Sequence, residues 1–476
     1  MTASVDASLA SRPAPPLSMR WTLAALSLSM LLSSLGTSIA NVALPTLAEA
    51  FHASFQQVQW VVLAYLLAVT ALIVGVGRLG DILGRRRLLL AGLALFTVAS
   101  VLCGLAPSLG LLIAARAAQG LGGAAMMALT LAFVGQSVPR DRTGRAMGLL
   151  GTMSAVGTAL GPSLGGLIIA AFGWRAIFLL NLPLGVLAMA LAAHALPPDR
   201  PIPSSERPRF DAWGTLLLAA SLAAYALAMT LGRGHPGPLN AGLLGAALLA
   251  LGLFARVQSR SPFPLIRLDL FQDPSLRAGF ATSALVATVV MATLVVGPFF
   301  LSGALGLDAA RVGLVMSAGP VVAALTGVPA GRLVDRFGAS PMTLAGLVLM
   351  LAGCGLLALL GAAFGIPGYA GPLVVVTSGY ALFQAANTTA VLRDVPTDRR
   401  GLVSGLLNLS RNLGLVTGAS AMGAVFAAAS GAGAPDLSGP AAVASGTQVT
   451  FAVAAALTVA ALALAWRARG QPQPSS

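Results

Sequence analysis

Lysine is missing altogether from this chain of 476 residues, cysteine occurs twice and histidine three times. Each gap closes off a chemistry. A phosphate-gripping P-loop needs its lysine, so the chain carries no ATPase module of its own. Cys103 and Cys354 stand alone in apolar segments, and His52, His194 and His235 are far apart, which leaves neither a metal-ligand set nor a disulfide framework. Charge is scarce as well: 9% of residues are charged, against about 25% in soluble domains. None of the 14 acidic residues falls in the middle of an apolar segment. No nucleophile, base and orienting group can be assembled from such a set, so an enzyme is not expected and no cofactor is implied.

What is present is apolar: 57% of the residues are hydrophobic. Fourteen apolar stretches of about 20 residues, the length that crosses a ~30 Å hydrocarbon core as a helix, recur between residues 20 and 467. They predict an all-α membrane protein with fourteen transmembrane helices. All 28 basic residues are arginine. Alternating the connections between two faces puts 23 of them on one face, three (Arg175, Arg233, Arg311) on the other and two (Arg116, Arg411) inside segments. The positive-inside rule then predicts that the Arg-rich connections and both termini lie in the cytoplasm of a multi-pass cell-membrane protein. The net charge of +14 is therefore a topological signal, and no nucleic-acid partner is expected. The polar, Pro-rich stretch 1–19 reads as a cytoplasmic tail.

The chain also repeats itself. GRLGDILGRRR (77–87) returns as GRLVDRFG (331–338), at an offset of 254 residues. VPRDRTGRAMGLL (138–150) returns as VPTDRRGLVSGLL (395–407) at an offset of 257, and in that register Gly157, Gly161 and Gly166 fall on Gly414, Gly418 and Gly423. Segments 1 to 6 and 9 to 14 thus read as two copies of one six-helix unit with two helices inserted between them. The expected organisation is a tail (1–19), an N-terminal six-helix bundle (20–196), a linker with two inserted helices and a following cytoplasmic loop (197–276), a C-terminal six-helix bundle (277–467) and a tail (468–476).

Duplicated halves imply a pathway between them, and a pathway needs a polar lining. Ser34, Thr37, Ser38 and Asn41 share one helical face, Tyr380, Gln384, Asn387 and Thr388 a second, and Ser404, Asn408, Arg411 and Asn412 a third. Hydrogen bonding between packed helices is the alternative reading of each stripe. Tyr65, Arg116, Gln119 and Asn181 complete the set of pathway candidates. Arginine inside a span costs about 2.5 kcal/mol or more, so Arg116 should face the bundle interior or water and have a partner. Backbone carbonyls are the alternative to a functional partner.

These motifs carry a resemblance. GRLGDILGRRR resembles the loop signature between helices 2 and 3 of the major facilitator superfamily, and GRLVDRFG its weaker second-half echo. LIAARAAQGLGGAA (112–125) resembles that superfamily's helix 4 signature and GTALGPSLGGLI (157–168) the helix 5 signature of its antiporters. NVALP (41–45), WRAIFLLNLPLG (174–185) and the span count resemble the fourteen-span drug:proton antiporter branch. The resemblance implies the major facilitator fold, with proton coupling linked to the position of Arg116. Read physically, Gly77 and Gly84 allow a tight turn and Asp81 gives the arginines and a neighbouring helix end something to clamp, so Gly77, Asp81, Gly84, Arg85 and Arg86, echoed by Gly331, Asp335 and Arg336, form a gate latch, where the alternative is a bare topology determinant. The resemblance further implies a pivot at Gly157, Gly161, Pro162 and Gly165, where the alternative is plain helix packing.

One feature departs from that branch: many such exporters carry an aspartate in helix 1 where this chain has Gly36. Glu49, past the Pro45 turn, is the remaining weak candidate for a coupling group, and a solvated helix end is its alternative. The expected function is a monomeric secondary transporter that exports small amphipathic or drug-like molecules by alternating access, coupled to protons. An uptake or facilitative carrier for an organic anion, or a non-transporting sensor, are the rivals. With Arg116 and Arg411 unmatched by any acid at membrane depth, the electrostatics favour neutral or anionic cargo.

Overall fold

The computed structural model describes residues 19–137, 143–199, 210–231, 237–261, 264–266, 268–393, 395, 400–431 and 439–469, and helix is the only regular structure among them. The tails, His235, Asp394, most of the linker and the Pro-Arg parts of the second repeat (Pro139, Arg142, Pro396, Arg399) lie outside the described residues. The first unit comprises α1 (Met19–Val42), the short α2 (Leu44–Ala50), α3 (Phe55–Leu83), α4 (Arg85–Leu105), α5 (Leu109–Ser137), α6 (Thr143–Phe172), and α7 (Ala176–Leu179) continuing into α8 (Asn181–Ala195). The inserted pair is α9 (Ala212–Thr230) and α10 (Pro238–Arg260). The second unit comprises α11 (Pro274–Phe299), α12 (Ala309–Met316), α13 (Ala318–Phe337), α14 (Ala339–Leu360), α15 (Gly365–Arg393), α16 (Arg400–Thr417), α17 (Gly423–Ala429) and α18 (Gly439–Arg469). π-helical turns at Phe300–Ala304 and Gly418–Met422 extend α11 and join α16 to α17.

Among the described residues, thirteen stretches are long and apolar enough to cross a membrane. One of them, the 55-residue run Ala339–Arg393, breaks at Gly361 and Gly365, whose φ values of +52° and +56° suit glycine. It yields α14 and α15, of 22 and 29 residues, each sufficient to span the bilayer, so the helices supply fourteen spans. Local chemistry starts and stops them. Ser54 and Gln57 form a capping box at the start of α3, and Asp273 accepts from Ser275 and Leu276 ahead of α11, with Pro274 in its first turn.

Small residues set the packing. α6 lies along α1, where a Cβ at Gly157 would fall 2.5 Å from the Leu31 carbonyl oxygen and one at Gly165 2.8 Å from Val42. Hydroxyls stitch the crossing: Ser34 Oγ lies 2.8 Å from Ser154 Oγ, and Ser38 Oγ donates to the Gly157 carbonyl at 3.3 Å. The second unit repeats it at the aligned glycines. There a Cβ at Gly418 would fall 2.5 Å from the Thr288 carbonyl oxygen, and Thr288 Oγ1 donates to the Gly414 carbonyl at 3.1 Å.

The outer surface is greasy, with Leu359, Phe172, Trp213 and Leu325 each more than 70% exposed. Such faces are stable only against lipid, which makes this a membrane-embedded chain. α9 packs against α3, and α10 packs on α9. Trp60 Nε1 donates to Thr230 Oγ1 at 3.1 Å, fixing the inserted pair to α3.

Candidate functional site

Arg116 is completely enclosed inside the first unit. Its Nε donates to the Val61 carbonyl at 2.9 Å, Nη2 to the Gly36 carbonyl at 3.0 Å and Nη1 to Gln119 Oε1. The guanidinium carbon sits 4.4 Å over the Tyr65 ring, and Gln119 Nε2 passes the network to Ser100 Oγ at 2.6 Å. Tyr65 in turn donates to the Ser33 carbonyl at 2.9 Å. Helices α1, α3, α4 and α5 are thereby tied at one point by a charge whose acceptors are all neutral. Gly36 explains why no carboxylate stands there: a Cβ would lie 3.1 Å from the Phe96 ring and 3.4 Å from Tyr65 Oη. Its backbone oxygen takes the guanidinium instead.

Asn41 and Asn181 are fully buried as well. Asn41 Nδ2 donates to the Thr37 and Ser38 carbonyls of its own helix, whereas Asn41 Oδ1 and both amide atoms of Asn181 have no partner among the described residues. Asn387 is turned inward in the second unit, where Nδ2 donates to the Gly279 carbonyl at 3.1 Å. It lines a crevice of ≈ 90 Å³ between α11, α14, α15 and α18, together with Ser275, Thr282, Ser340 and Thr343. Gln384 is half-buried on the same helix, and Glu49 is exposed.

The two units meet at the end away from the Arg-rich connections. Phe55 of α3, Phe299 of α11 and Phe426 of α17 form a ring cluster with centroids 4.8, 5.0 and 6.4 Å apart. Beside it, Gln59 presses against Gly423, and neither amide atom of Gln56 or Gln59 has a hydrogen-bond partner among the described residues. On the other flank α6 crosses α12 backbone to backbone: a Cβ at Gly166 would lie 2.8 Å from Gly313 Cα, and one at Gly313 would strike the Pro162 carbonyl oxygen. Of the pivot candidates only Pro162 therefore touches the second unit, because Gly157, Gly161 and Gly165 are spent on α1.

At the Arg-rich end the charged motif makes local contacts, although Arg86 Nε is buried without a partner among the described residues. Arg85 Nη2 meets Asp81 Oδ1 at 2.8 Å. Asp199, from the linker after α8, accepts the Arg86 and Arg87 backbone N–H groups at 2.8 and 3.1 Å and so caps α4, while Arg86 Nη2 donates to the Ala193 carbonyl at 2.5 Å. Gly84 turns at φ +95°, and a Cβ there would meet the Asp199 carboxylate. Gly77 does not turn, contrary to expectation, because α3 runs on to Leu83. Likewise Gly331 lies within α13, and Gly338 (φ +87°) makes the turn. Asp335 and Arg336 are exposed, and Arg336 sits 5.2 Å from the ring of its neighbour Phe337.

α16 behaves differently from every helix above. Val403, Leu406, Leu407 and Leu409 are buried together with Leu218 and Leu222 of α9 and Phe280 of α11, while Asn408 is exposed, Ser404 and Arg411 are half-buried and Asn412 is 8% exposed. An exposed polar face at membrane depth requires water. The signals for the residues missed from sequence were faint. Gln56 and Gln59 stand out only as a polar i, i+3 pair in an apolar run, and Asp199 only as a charge in a Pro-rich linker.

A family model described as Major Facilitator Superfamily matches residues 26–419. The Escherichia coli protein named uncharacterized transporter YebQ is 33% identical over 387 residues, covering 80% of this chain and 84% of that one. The multidrug resistance protein Stp of Mycobacterium tuberculosis is 34% identical over 419 residues, covering 86% and 76%. A crystal structure of a bacterial homologue of the human lysosomal transporter Spinster, inward-facing and unoccupied, shares the fold with a TM-score of 0.70 at 16% identity, covering 97% of this chain and all of that one. Two glycine-crossed six-helix units, a charged α3–α4 turn and these matches converge: the chain belongs to the Major Facilitator Superfamily of membrane transporters, which are not enzymes.

Proposed function

We propose that this transporter exports small amphipathic or drug-like molecules across the cell membrane, coupled to protons, with its Arg-rich face and both termini in the cytoplasm. The observation that carries the reading is the pairing of an aromatic seal at one end (Phe55, Phe299, Phe426) with the exposed polar face of α16 within the membrane. A carrier sealed outside and wetted from inside is poised to load from the cytoplasm. The twenty-three arginines on one face support the orientation. The relative named a multidrug resistance protein supports drug-like cargo. Proton coupling rests on the antiporter resemblance. Both units come from one chain, so a monomer suffices.

In this reading Asp81, Arg85, Arg86, Gly77 and Gly84, with Gly331, Asp335 and Arg336, act at the inner gate, which stands unlatched while the described contacts of Asp81, Arg85 and Arg86 stay within their own unit. Pro162 supplies a contact about which the units tilt, while Gly157, Gly161 and Gly165 keep α1 and α6 moving as one body. The expressing strain should accumulate less of a fluorescent dye panel than the empty strain, and an uncoupler should erase the difference. Equal accumulation in both strains, or a difference untouched by the uncoupler, would overturn export or its coupling respectively.

A further inference from the structure

The geometry points to Arg411 as a recognition site for the anionic end of the cargo, with Asn408 and Ser404 beside it on α16; this rests on the export reading and narrows its substrate class to amphipathic molecules bearing a carboxylate or similar oxyanion. α16 packs on α11 through Gly414 and Gly418, where added Cβ atoms would strike α11 atoms. Its apolar side is covered by α9 and by Phe280, and α16 also packs on α3 of the first unit. Ser404, Asn408 and Arg411 repeat at helical spacing on the arc that is left, between α11 and α3. That arc borders the seam between the two units, not the lipid.

Depth comes next. Arg411 is the ninth residue of the 27-residue span Val403–Ala429, about 13 Å in at ~1.5 Å per residue. A guanidinium at that level needs acceptors. Arg116 takes its acceptors from α1, α3 and its own α5. At Arg411 the Nε is buried without a hydrogen-bond partner among the described residues. The described ion pairs, Asp81–Arg85 and Asp308–Arg311, both lie at helix ends.

An arginine held at membrane depth, half-open to the seam and short of an acceptor, lacks what an oxyanion brings. A carboxylate can take the two Nη–H groups together in the end-on, two-pronged geometry that makes such pairs selective. The exposed Asn408 amide and the Ser404 hydroxyl offer donors to a remaining oxygen. Neutral molecules would forgo the charge-assisted bonds, and lipophilic cations would be repelled.

The test uses cells expressing the full chain and two dyes, anionic carboxyfluorescein and cationic ethidium. Wild type should extrude carboxyfluorescein. Arg411→Gln should lower the ratio of carboxyfluorescein to ethidium efflux at least tenfold, and Arg411→Lys should restore part of it. Export of ethidium alone by the wild type would overturn the oxyanion class and leave the export reading standing. Export of neither dye would overturn both. An equal loss of both dyes in Arg411→Gln would mark a structural role and overturn the proposal. Should Arg411→Gln fail to give a monodisperse purified protein, Asn408→Ala takes its place: a roughly threefold fall in the same ratio supports the site, and an unchanged ratio overturns it.

Discussion

Arg116 and Arg411 are the two arginines that lie within spans, and they illustrate opposite fates of a buried cation. Around Arg116 the chain provides two backbone carbonyls, an amide oxygen and a tyrosine face, so the charge becomes a knot that joins α1, α3, α4 and α5. Around Arg411 it provides no acceptor for Nε, and the side chain stays half-open beside an exposed asparagine. The repeat sharpens the contrast. In the second unit Leu373 occupies the place aligned with Arg116, and the node near it is neutral: Tyr369 donates to the Thr293 carbonyl at 3.1 Å and stacks on Phe300 at 5.6 Å. The charge in the first unit is therefore no inheritance of the duplicated fold. What separates a structural arginine from an available one is the supply of acceptors within reach, not its depth.

The comparison can be broken most directly at Arg116. Arg116→Ala should cost about 3 to 5 kcal/mol, the sum of an unfilled cavity and a stranded Gln119 oxygen, and abolish the monodisperse peak in detergent size-exclusion chromatography. Arg411→Ala should leave that peak in place; equal losses in both variants would erase the distinction. Next in size is the backbone crossing of α6 and α12. Gly313→Leu should overpack it by about 1 to 3 kcal/mol and hold the outer end apart. Raised labelling of a Phe55→Cys variant by a membrane-impermeant maleimide on intact cells would register the opening.

A smaller effect of opposite sign is expected at the aromatic seal. Gln59→Met removes an unpaired buried amide without emptying its volume, so the unfolding temperature should rise, by about 1 kcal/mol of stability. Dye efflux should slow, because the closed seal no longer contains a group that only water can satisfy. The smallest stability change belongs to Asp81→Asn. Its pair with Arg85 is more than a quarter exposed and contributes about 0 to 1 kcal/mol, so the unfolding temperature should hold while efflux falls. Full efflux in this variant would remove the inner-gate role from the motif.

Much of the architecture was legible because hydropathy and duplication are properties of the sequence itself. Fourteen spans follow from apolar length, and the 257-residue register foretold that Gly414 and Gly418 would repeat the crossing made by Gly157 and Gly161. Site roles were less legible, since they depend on which way each helix is turned. Helical spacing put Asn41, Asn387 and Asn408 on equal terms, yet carbonyls of Thr37, Ser38 and Gly279 take the Nδ2 groups of the first two, which are buried, and only the third is exposed. The same holds for the glycines of α6, where spacing announces a close approach but does not name the partner. The seal was invisible for a related reason: Phe55, Phe299 and Phe426 come from three distant segments and acquire meaning only together.

The inserted helices leave the molecule with unequal flanks. α9 touches both α3 and α17, and so lies across one of the two joints between the units. Among the described residues no such strut covers the joint of α6 with α12 and α13, where Leu160 and Leu325 stand 40% and 71% exposed. A greasy compound dissolved in the bilayer thus meets a fence on one side of the carrier and bare helices on the other, so any sideways traffic from the membrane has a handedness that the twofold repeat alone would never impose.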